Sequence, residues 1–410
     1  MKKLCSLFAT LTLALQAVMA APFDTVFHKA IFENQLIHFD EKKNPGSIVS
    51  LPDGTLIIAN GRIVLKKLSL PRFRRDHRAT LHVRLQSNGD PWDKTGSCFI
   101  IPSASQASMI TVAQGKKPYP ALDTTRYERL SGIVGSQGYL PPVELMRFMT
   151  PFGVGYYTPK DDATREAYTP VYIDEWAPYT EWWQDVTDRL PLLCNDSAYV
   201  GLAIDSWLPS GYIATVELTI EESRLKADKA PRRHIVPLCN TIQYYQQEFC
   251  DIFNRRPLEV DFSLPQNARE ATLYYIVSGH GGHAGGDEFT PQENILSLDG
   301  KELKRFTPWR TDCASFRRFN PSTGVWLQKR KVRFIGHGGR EVKEVEEPLA
   351  SSDKSRSNWC PGSDVPPLKI ALPPLAKGTH TLTIDIPKAQ AFVGQAMNHW
   401  LVSAWIAWEE

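Results

Sequence analysis

The segment TLHVRLQ at residues 80–86 alternates apolar and polar side chains, and the same period recurs in TVELTIE (215–221) and HTLTIDIP (380–387). This alternation is typical of β-strands with one buried face, because successive side chains of a strand point to opposite faces of the sheet. The more continuous apolar segments SAYVGLAID (197–205) and WLVSAWIAW (400–408) are typical of strands in a sandwich core. The pattern therefore predicts a chain that is mainly β.

Turn signals separate several of the expected strands. Asp53-Gly54 and Asp299-Gly300 are both typical of the central residues of a β-hairpin turn. Convincing amphipathic helices are few, and the best short candidate for a helix is TEWWQDVTDRL at 180–190. Two long segments without a clear period, 103–142 and 340–358, are expected to be irregular, and loops of that length are usually functional or disordered.

The first 20 residues are typical of a signal peptide. Two lysines precede an apolar segment that ends in AVMA, with cleavage predicted after Ala20. The remaining residues exceed one domain of roughly 150 residues, and the charged segment 222–238 is the predicted boundary. We therefore expect two sandwich domains, at 21–230 and 231–410.

Composition and charge limit the cellular compartments and the classes of partner that we expect for this protein. No later segment approaches the ~20 apolar residues that a membrane helix needs, so a secreted or periplasmic protein is predicted. The net charge of +2 gives no reason to expect a nucleic acid or a membrane as partner. Eleven tryptophans in such a chain suit stacking on sugars as well as core packing.

Six of the seven cysteines follow Ala20. An even number in an exported protein favours disulfides, but six cysteines allow fifteen pairings, and the residues alone leave the pairing open. No two of them form a CxxC pair, so a zinc ribbon or a thioredoxin-type site is not expected. The six are Cys98, Cys194, Cys239, Cys250, Cys313 and Cys360.

Two motifs invite functions that their context does not support. GGDEF at 285–289 has the letters of the diguanylate cyclase signature, but that signature needs an intracellular α/β domain, so we interpret the match as chance. His280 and His283 lie three apart in a glycine-rich segment, and His337 recurs in IGHGG. A copper or zinc site is conceivable there. The helical spacing HxxxH and an obvious third ligand are absent, so neither a metal nor another cofactor is predicted.

Three carboxylates occur in similar settings. Asp93 follows Trp92 in the turn NGDPWDKTGS, Asp205 ends an apolar segment shortly before Trp207, and Glu288 follows a glycine-rich segment. Each acid could be an ordinary turn residue. The three could also form a cluster in which neighbouring carboxylates shift one another's pKa and so divide acid and base roles. From the residues alone, both interpretations stay open.

Six segments in order resemble the bacterial peptide-N-glycosidase F family, and together they span most of the chain after Ala20. The resemblance implies two antiparallel eight-stranded jelly-roll sandwiches packed side by side, with the active site at their interface. It implies an amidase that hydrolyses the bond between N-acetylglucosamine and asparagine in N-glycoproteins without a metal. The segments are PWDK (91–94), RFMTPFGVG (147–155), DVTDRLPLL (185–193), IDSW (204–207), SGHGGHAGGDEF (278–289) and SNWCPG (357–362).

The same resemblance implies the site residues. Asp93 and Glu288 correspond to the two essential acids of the family, and Asp205 to a supporting acid. Asp93 would be the principal acid/base, and Trp92 would fix its turn. The substrate-binding residues would be Trp92, Lys94, Trp207, Arg356 and Trp359.

The resemblance also implies a disulfide between Cys313 and Cys360, because the family joins the cysteine of WCPG to one upstream. Cys239 and Cys250 are near enough in sequence to close a short loop. Elimination would then pair Cys98 with Cys194. These last two pairs have no support from the resemblance.

The chain departs from the family at several positions. Lys94 replaces an arginine, Asp205 replaces a glutamate, and Gly286 and Thr290 replace a small disulfide around the essential glutamate. Lysine loses the planar, bidentate donor of arginine. The segments 103–142 and 340–358 are also longer than their counterparts. These changes bear on substrate range and turnover more than on the class of reaction.

Two alternatives from other classes remain. The changes at Lys94 and Asp205 suggest an N-glycan-binding protein of the same fold without turnover. The glycine-rich histidines suggest a copper monooxygenase of related twin jelly-roll architecture, although the chain lacks the adjacent histidine pair expected there. The predicted partners are N-linked glycans on glycoproteins or glycopeptides, and the protein is expected to be a monomer.

Overall fold

The structure is a computed structural model that describes residues 23–410 apart from 45, 123–129, 137, 162, 165–172, 195–197, 228 and 248–250. The predicted signal peptide and Cys250, with its predicted bond to Cys239, lie outside the described residues. Within them, 22 strands form antiparallel sheets, which confirms the prediction of an all-β chain. The jelly-roll topology with eight strands in each sandwich stays a prediction.

The first ten strands form two sheets. One sheet has the order β1-β10-β5-β8, and the other has the order β2-β3-β4-β9-β6-β7. The period of two at 80–86 is confirmed, because alternate residues of β5 such as Leu81 and Val83 are fully buried between the sheets. The strands are β1 (Phe23–Ile37), β2 (Val49–Ser50), β3 (Leu56–Ile58), β4 (Ile63–Lys67), β5 (His77–Ser87), β6 (Thr95–Ile101), β7 (Val143–Met149), β8 (Thr180–Asp185), β9 (Tyr199–Ile204) and β10 (Tyr212–Ser223).

The remaining strands form two four-stranded sheets and two ribbons. The sheets have the orders β11-β22-β13-β18 and β12-β19-β14-β15, and the ribbons are β16-β17 and β20-β21. The strands are β11 (Arg233–Asn240), β12 (Leu258–Leu264), β13 (Thr272–His280), β14 (Asn294–Leu298), β15 (Lys301–Phe306), β16 (Val325–Gly336), β17 (Gly339–Ala350), β18 (Leu368–Ala371), β19 (Gly378–Asp385), β20 (Phe392–Val393), β21 (Ala396–Met397) and β22 (His399–Glu409).

Helices are short in the described chain. None of them is long and apolar enough to cross a membrane. The α-helices are α1 (Met109–Ala113) and α2 (Leu190–Leu193), and the 3-10 helices are Ala59–Gly61, Thr187–Arg189, Ile252–Asn254, Cys313–Phe319 and Ser351–Asp353.

Two predicted elements were wrong. The segment 180–190 is not one helix, because 180–185 is strand β8, where Trp182 is buried and Trp183 exposed as a strand requires. The segment 340–358 is not irregular throughout, because 339–350 is strand β17. Because β17 is rich in charged residues, it lacks the apolar periodicity on which the strand prediction relied.

Both predicted hairpin turns are present. Asp299 and Gly300 form a two-residue loop between β14 and β15, and both have positive φ (50° and 77°). Asparagine, aspartate and glycine tolerate this conformation better than other residues. Asp53-Gly54 lies in the longer loop that joins β2 to β3.

The disulfide implied by the resemblance is present, whereas the pair obtained by elimination is not. Cys313 and Cys360 form a disulfide with their Cα atoms 5.1 Å apart, as predicted. The pairing of Cys98 with Cys194 was wrong, because both are free thiols. Cys98 is buried in the core on β6, whereas Cys194 is exposed after α2. Elimination assumed that every cysteine is oxidised, but a buried thiol also packs as a small apolar side chain.

Strand β7 joins the two halves of the chain. Its free edge pairs with residues 362–365 of the C-terminal half: Gly362 N–H donates to Met149 O (3.0 Å) and Met149 N–H to Ser363 O (2.8 Å). Val365 N–H donates to Arg147 O at 2.8 Å. One apolar core therefore contains residues of both halves, and those from the C-terminal half are Ile276, Trp359, Val365, Trp405 and Ala407.

A buried ion pair lies in this interface. The Arg147 guanidinium bonds both carboxylate oxygens of Glu144 and donates to Leu401 O (2.7 Å) and Ser278 Oγ (3.2 Å) across the interface. Both charged side chains are fully buried. A buried charge is tolerated only when its partners are in place, so this pair fixes how the halves pack.

We expect Arg147→Met to lower the free energy of unfolding by about 3–5 kcal/mol, because it leaves the Glu144 carboxylate buried without a counter-charge. Urea unfolding monitored by tryptophan fluorescence measures this change. The matched control is Arg78→Met, which breaks an exposed ion pair with Glu221 and should cost less than about 1 kcal/mol. Equal losses in the two variants would contradict the structural role of Arg147.

Candidate active site

The turn that carries Asp93 is held by polar groups on both sides. Buried Asp90 accepts a hydrogen bond from the N–H of Trp92 at 3.1 Å. The Thr150 hydroxyl donates to Trp92 O at 3.0 Å and accepts from Lys94 N–H at 2.7 Å. The expectation that the ring of Trp92 fixes this turn is not met, because that ring is 56% exposed. Asp90 and Thr150 instead orient the backbone.

Arg356 joins Asp93 to Glu288. Its Nε donates to Glu288 Oε1 at 2.9 Å, and its Nη2 lies 3.8 Å from Asp93 Oδ2. Its Nη1 donates to the carbonyls of Ser351 (2.8 Å) and Lys354 (3.0 Å). The arginine side chain is 1% exposed, so these bonds hold it in one orientation. Two acids from different halves of the chain thus meet at one guanidinium.

Burial dominates the protonation of the two acids. Loss of hydration raises the pKa of Asp93 to about 7; the positive charge of Arg356 opposes this shift, and the negative charge of Glu288 adds to it. Loss of hydration also raises the pKa of Glu288, against the charge and hydrogen bond of Arg356. Asp93 can therefore hold or release a proton near neutral pH, as acid/base catalysis requires.

Asp287 anchors the glycine-rich loop that presents Glu288. Its carboxylate is fully buried and accepts hydrogen bonds from Gln390 N–H and Trp400 Nε1, both at 2.9 Å. A side chain at Gly286 would meet a backbone carbonyl of the same loop at 2.2 Å, so the turn requires glycine. In this chain the letters GGDEF therefore form a loop with one structural acid followed by one acid at the site.

Asp205 and Trp207 form a second part of the site. Trp207 Nε1 donates to Asp205 Oδ1 at 2.9 Å. Arg62 Nη1 lies 3.3 Å from the same oxygen, and the guanidinium is 4.1 Å from the centre of the Trp207 ring. The indole is 54% exposed. An exposed indole held by two polar neighbours is suited to stack on a sugar.

These side chains open onto a cavity of about 380 Å³ between the two halves. Neither Asp93 nor Glu288 lines this cavity. Loss of hydration raises the pKa of Asp205, as it does that of Asp93, and the charge of Lys94 opposes the shift in both acids. Lys94 is thus near both parts of the site. Residues that line the cavity include Asn60, Arg62, Asp205, Trp207, Gln243 and His399.

Trp359 is buried behind the site. Its Nε1 donates to Gly279 O at 2.9 Å, and the Arg356 guanidinium lies 4.9 Å from its ring centre. Its neighbour Cys360 is tied to Cys313. Trp359 therefore packs against the buried guanidinium of Arg356. Its burial does not favour the direct contact with substrate that we expected.

The histidines are dispersed. His280 is buried and stacked between Trp359 (5.4 Å) and His399 (5.0 Å), whereas His337 is exposed at the tip of the β16-β17 ribbon. His283 is half-buried in the glycine-rich loop. No group of three or more His, Cys, Asp or Glu side chains in the described residues could hold a metal ion.

Four residues of the site were not predicted from the sequence: Asp90, Arg62, Asp287 and Lys354. Asp90 and Arg62 gave only ordinary turn and strand signals, and Asp287 was hidden in a motif that matched by chance. Lys354 lies with its Nζ 3.3 Å from the ring centre of Trp326. Loss of hydration lowers the pKa of Lys354 to about 8.

The chain is similar to known proteins along most of its length. The family models "Peptide-N-glycosidase F, N terminal" and "Peptide-N-glycosidase F, C terminal" match residues 29–220 and 248–407. Two structures of PNGF-II, in space groups P21 and C2, have a TM-score of 0.77 and sequence identities of 32% and 33%. They align with 97% and 95% of this chain, which spans 67% and 65% of theirs. No curated protein matches the chain in sequence.

A more distant likeness supports the fold. The structure of PNGase F, a glycosylasparaginase from Flavobacterium meningosepticum, is 15% identical with a TM-score of 0.56, and the alignment covers 94% of this chain and 96% of that one. At this identity the likeness shows the two-domain antiparallel fold alone. The two matched family models and the identity to PNGF-II show more: the chain belongs to the peptide-N-glycosidase F family.

Proposed function

We propose that the protein hydrolyses the amide bond between N-acetylglucosamine and asparagine in N-glycoproteins or glycopeptides, releasing the glycan and leaving aspartate. One observation carries the proposal: Asp93 and Glu288, from different halves of the chain, meet at the buried guanidinium of Arg356. Family membership supports the reaction class, since the related PNGase F is named a glycosylasparaginase. The predicted signal peptide and the Cys313–Cys360 disulfide support an exported protein.

The chemistry follows from the protonation of the pair. A water molecule adds to the carbonyl carbon of the asparagine side chain, the C–N bond breaks, and the leaving nitrogen takes a proton. Asp93, with a pKa near 7, exchanges a proton with this linkage directly or through the water. Glu288, fixed by Arg356, holds and polarises the water and the amide. A second water molecule then hydrolyses the released 1-amino sugar to the free sugar and ammonia.

The remaining residues bind the glycan. Trp207 presents an exposed indole beside the carboxylate of Asp205, and both border the cavity. Trp92, also exposed, and Lys94 flank Asp93 on its turn. We assign Arg356 to the reacting linkage and the first sugar, with Trp359 as its support. The protein is proposed to act as a monomer without a metal.

The two alternatives have less support. A binding protein without turnover would not need two acids raised in pKa beside one arginine, although Lys94 and Asp205 remain departures from the family. The copper alternative has no favouring observation, because the ring of His280 is stacked between two aromatic rings and its Nε2 is 2.8 Å from Ser278 Oγ.

We expect Asp93→Asn and Glu288→Gln each to lower kcat/KM by at least ~100-fold, because each removes a charge and a proton-exchanging group. Asp205→Asn should retain partial activity. The assay incubates a denatured N-glycoprotein with the enzyme and weighs the peptides for conversion of Asn to Asp. Peptides that keep one N-acetylglucosamine would indicate an endoglycosidase. The control is Glu293→Gln, which removes an exposed carboxylate paired with Arg305 and should retain full activity; near-wild-type turnover in Asp93→Asn would refute the assignment.

The protonation of Asp93 also predicts a pH-dependent stability. Its folded-state pKa of about 7 exceeds the ordinary 3.8, so the native protein binds more protons than the unfolded chain between these values and loses stability as pH rises through them. Asp93→Asn removes this loss. Its Tm relative to wild type should therefore be higher at pH 8 than at pH 5, by an amount that corresponds to a few kcal/mol at most.

Asp53→Asn is the matched control for this measurement. A hydrogen bond from Lys66 lowers the pKa of Asp53 to about 2, so its charged form is favoured in the native state and the sign reverses. Asp53→Asn should therefore gain nothing at pH 8 relative to pH 5. If the Tm difference of Asp93→Asn were independent of pH, the raised pKa of Asp93 would be wrong.

Turnover should survive dialysis against EDTA, because the carboxylates and Arg356 supply the acid, the base and the positive charge that the proposed hydrolysis needs. His283→Ala should also leave a measurable hydrolase. A metal-dependent hydrolase would instead lose activity with the ion that activates its water. Loss of turnover on chelation, with recovery in zinc or copper, would move the active site to the histidine loop.

A further inference from the structure

Strands β16 and β17 form a ribbon (325–350) that stands apart from the sheets. In the described chain the two strands pair only with each other. Each has 12 residues, which corresponds to about 40 Å. An isolated hairpin is marginally stable in water, yet this one exposes Leu327 (71%), Ile335 (87%) and Val342 (60%). A ribbon without a covering sheet offers its strand edges and both of its faces to a partner.

The register gives the ribbon two different faces. Trp326, Val332 and Phe334 alternate along β16 on one face, and Leu349 and Val345 of β17 lie on the same side. All five of these apolar side chains are half-buried. We call this the inner face. The outer face carries Leu327, Ile335 and Val342.

The inner face begins at the candidate active site. The Trp326 ring lies 3.3 Å from Lys354 Nζ and 5.3 Å from the ring of Phe289, the residue after Glu288. The other strand of the ribbon leads directly into Ser351, whose carbonyl accepts from Arg356. Both strands are therefore anchored within one or two residues of the groups that hold the two acids.

We propose that the inner face binds the polypeptide of the glycoprotein substrate in an extended conformation, with its backbone paired to an open edge of the ribbon. The proposal rests on the proposed function: Trp326, at the start of the inner face, contacts Phe289 next to Glu288, so this face lies beside the place where a glycosylated asparagine would reach Asp93. Open strand edges offer unpaired backbone N–H and C=O groups, the basis of recognition by strand addition.

The charges of the ribbon fit a polypeptide better than an anionic surface. Residues 325–350 contain six lysines and arginines and four glutamates, so charges of both signs lie among the apolar side chains. Arg330 pairs with Glu347, and the ammonium of Lys343 lies 4.8 Å from the Phe334 ring centre. A mixed surface of this kind suits backbone-directed binding of varied sequences, as a deglycosylating enzyme needs.

The test compares a reduced, carboxymethylated N-glycoprotein with a glycosylated tripeptide that carries the same glycan. In the inner-face variant Val332→Ser/Phe334→Ser, we expect KM for the long substrate to rise about tenfold, because two apolar contacts are lost. The kcat/KM for the tripeptide, which does not reach these residues, should stay within about twofold. The outer-face control Ile335→Ser/Val342→Ser removes as many apolar side chains and should leave both substrates unchanged.

A binding measurement separates this proposal from the proposed function. The same unfolded polypeptide without its glycan, labelled for fluorescence anisotropy, should bind Asp93→Asn protein and lose affinity only with the inner-face change. If wild type released no glycan from either substrate, the amidase would be refuted while this measurement still tested the ribbon. Equal effects of both double variants, equal loss on long and short substrates, or self-association through the ribbon in sedimentation would overturn the docking proposal.

Discussion

The pairing of the end of β7 with residues 362–365 is the constraint on which the site depends. The four residues 147–150 make both contacts. Arg147 and Met149 form hydrogen bonds with the C-terminal half, and Thr150 forms hydrogen bonds with the turn that carries Asp93. The loop that carries Arg356 leads directly into 362–365. Backbone pairing of β7, the Thr150 hydroxyl and the buried Arg356 side chain therefore together hold Asp93 near Glu288. The acid/base chemistry proposed for these two acids requires their positions to be held within a fraction of an ångström.

The two acids lie beside one buried positive charge, and this imbalance favours their protonated forms. Two carboxylates share one buried guanidinium, and that guanidinium also donates to two backbone carbonyls. Because water is largely removed, a second negative charge at this place is costly, and a proton compensates for it. Lys94 is too weakly coupled to reverse this balance, since lost hydration remains the main influence on Asp93. With lysine at position 94, the pKa values of Asp93 and Glu288 both stay raised.

Much of the fold could be predicted because one physical pattern, burial on alternate residues, repeats along the strands. Leu81 and Val83 of β5 follow it, and Asp299-Gly300 adopts the backbone that its turn requires. The pattern did not predict strands whose side chains are mostly exposed or whose alternation is concealed. The charged strand β17 has no apolar period, and β8 places two tryptophans side by side, which conceals the alternation between Trp182 and Trp183.

The site was predictable only through resemblance. Asp93, Glu288 and Arg356 lie in segments that carry the family likeness, but no local signal shows that they meet. Residues that support the site were not predicted, because their roles depend on contacts that the sequence does not reveal. Asp90 and Asp287 are buried acids that accept hydrogen bonds from distant parts of the chain. Trp92 is exposed and Trp359 is buried, and the residue type alone does not distinguish an exposed tryptophan from a buried one.

The apolar core that both halves share has a consequence for how the protein unfolds. Trp359, Val365 and Trp405 pack among residues of the N-terminal sheets, and Leu130, Ile133 and Val134 pack in the core of the C-terminal half. Neither half therefore completes its core alone. Elements that complete one another's cores unfold together, as a single cooperative unit. Either half produced separately would display this apolar surface to water and tend to aggregate. Asp93 and Glu288, which lie on opposite sides of the same boundary, would then meet at Arg356 only in molecules that have folded completely.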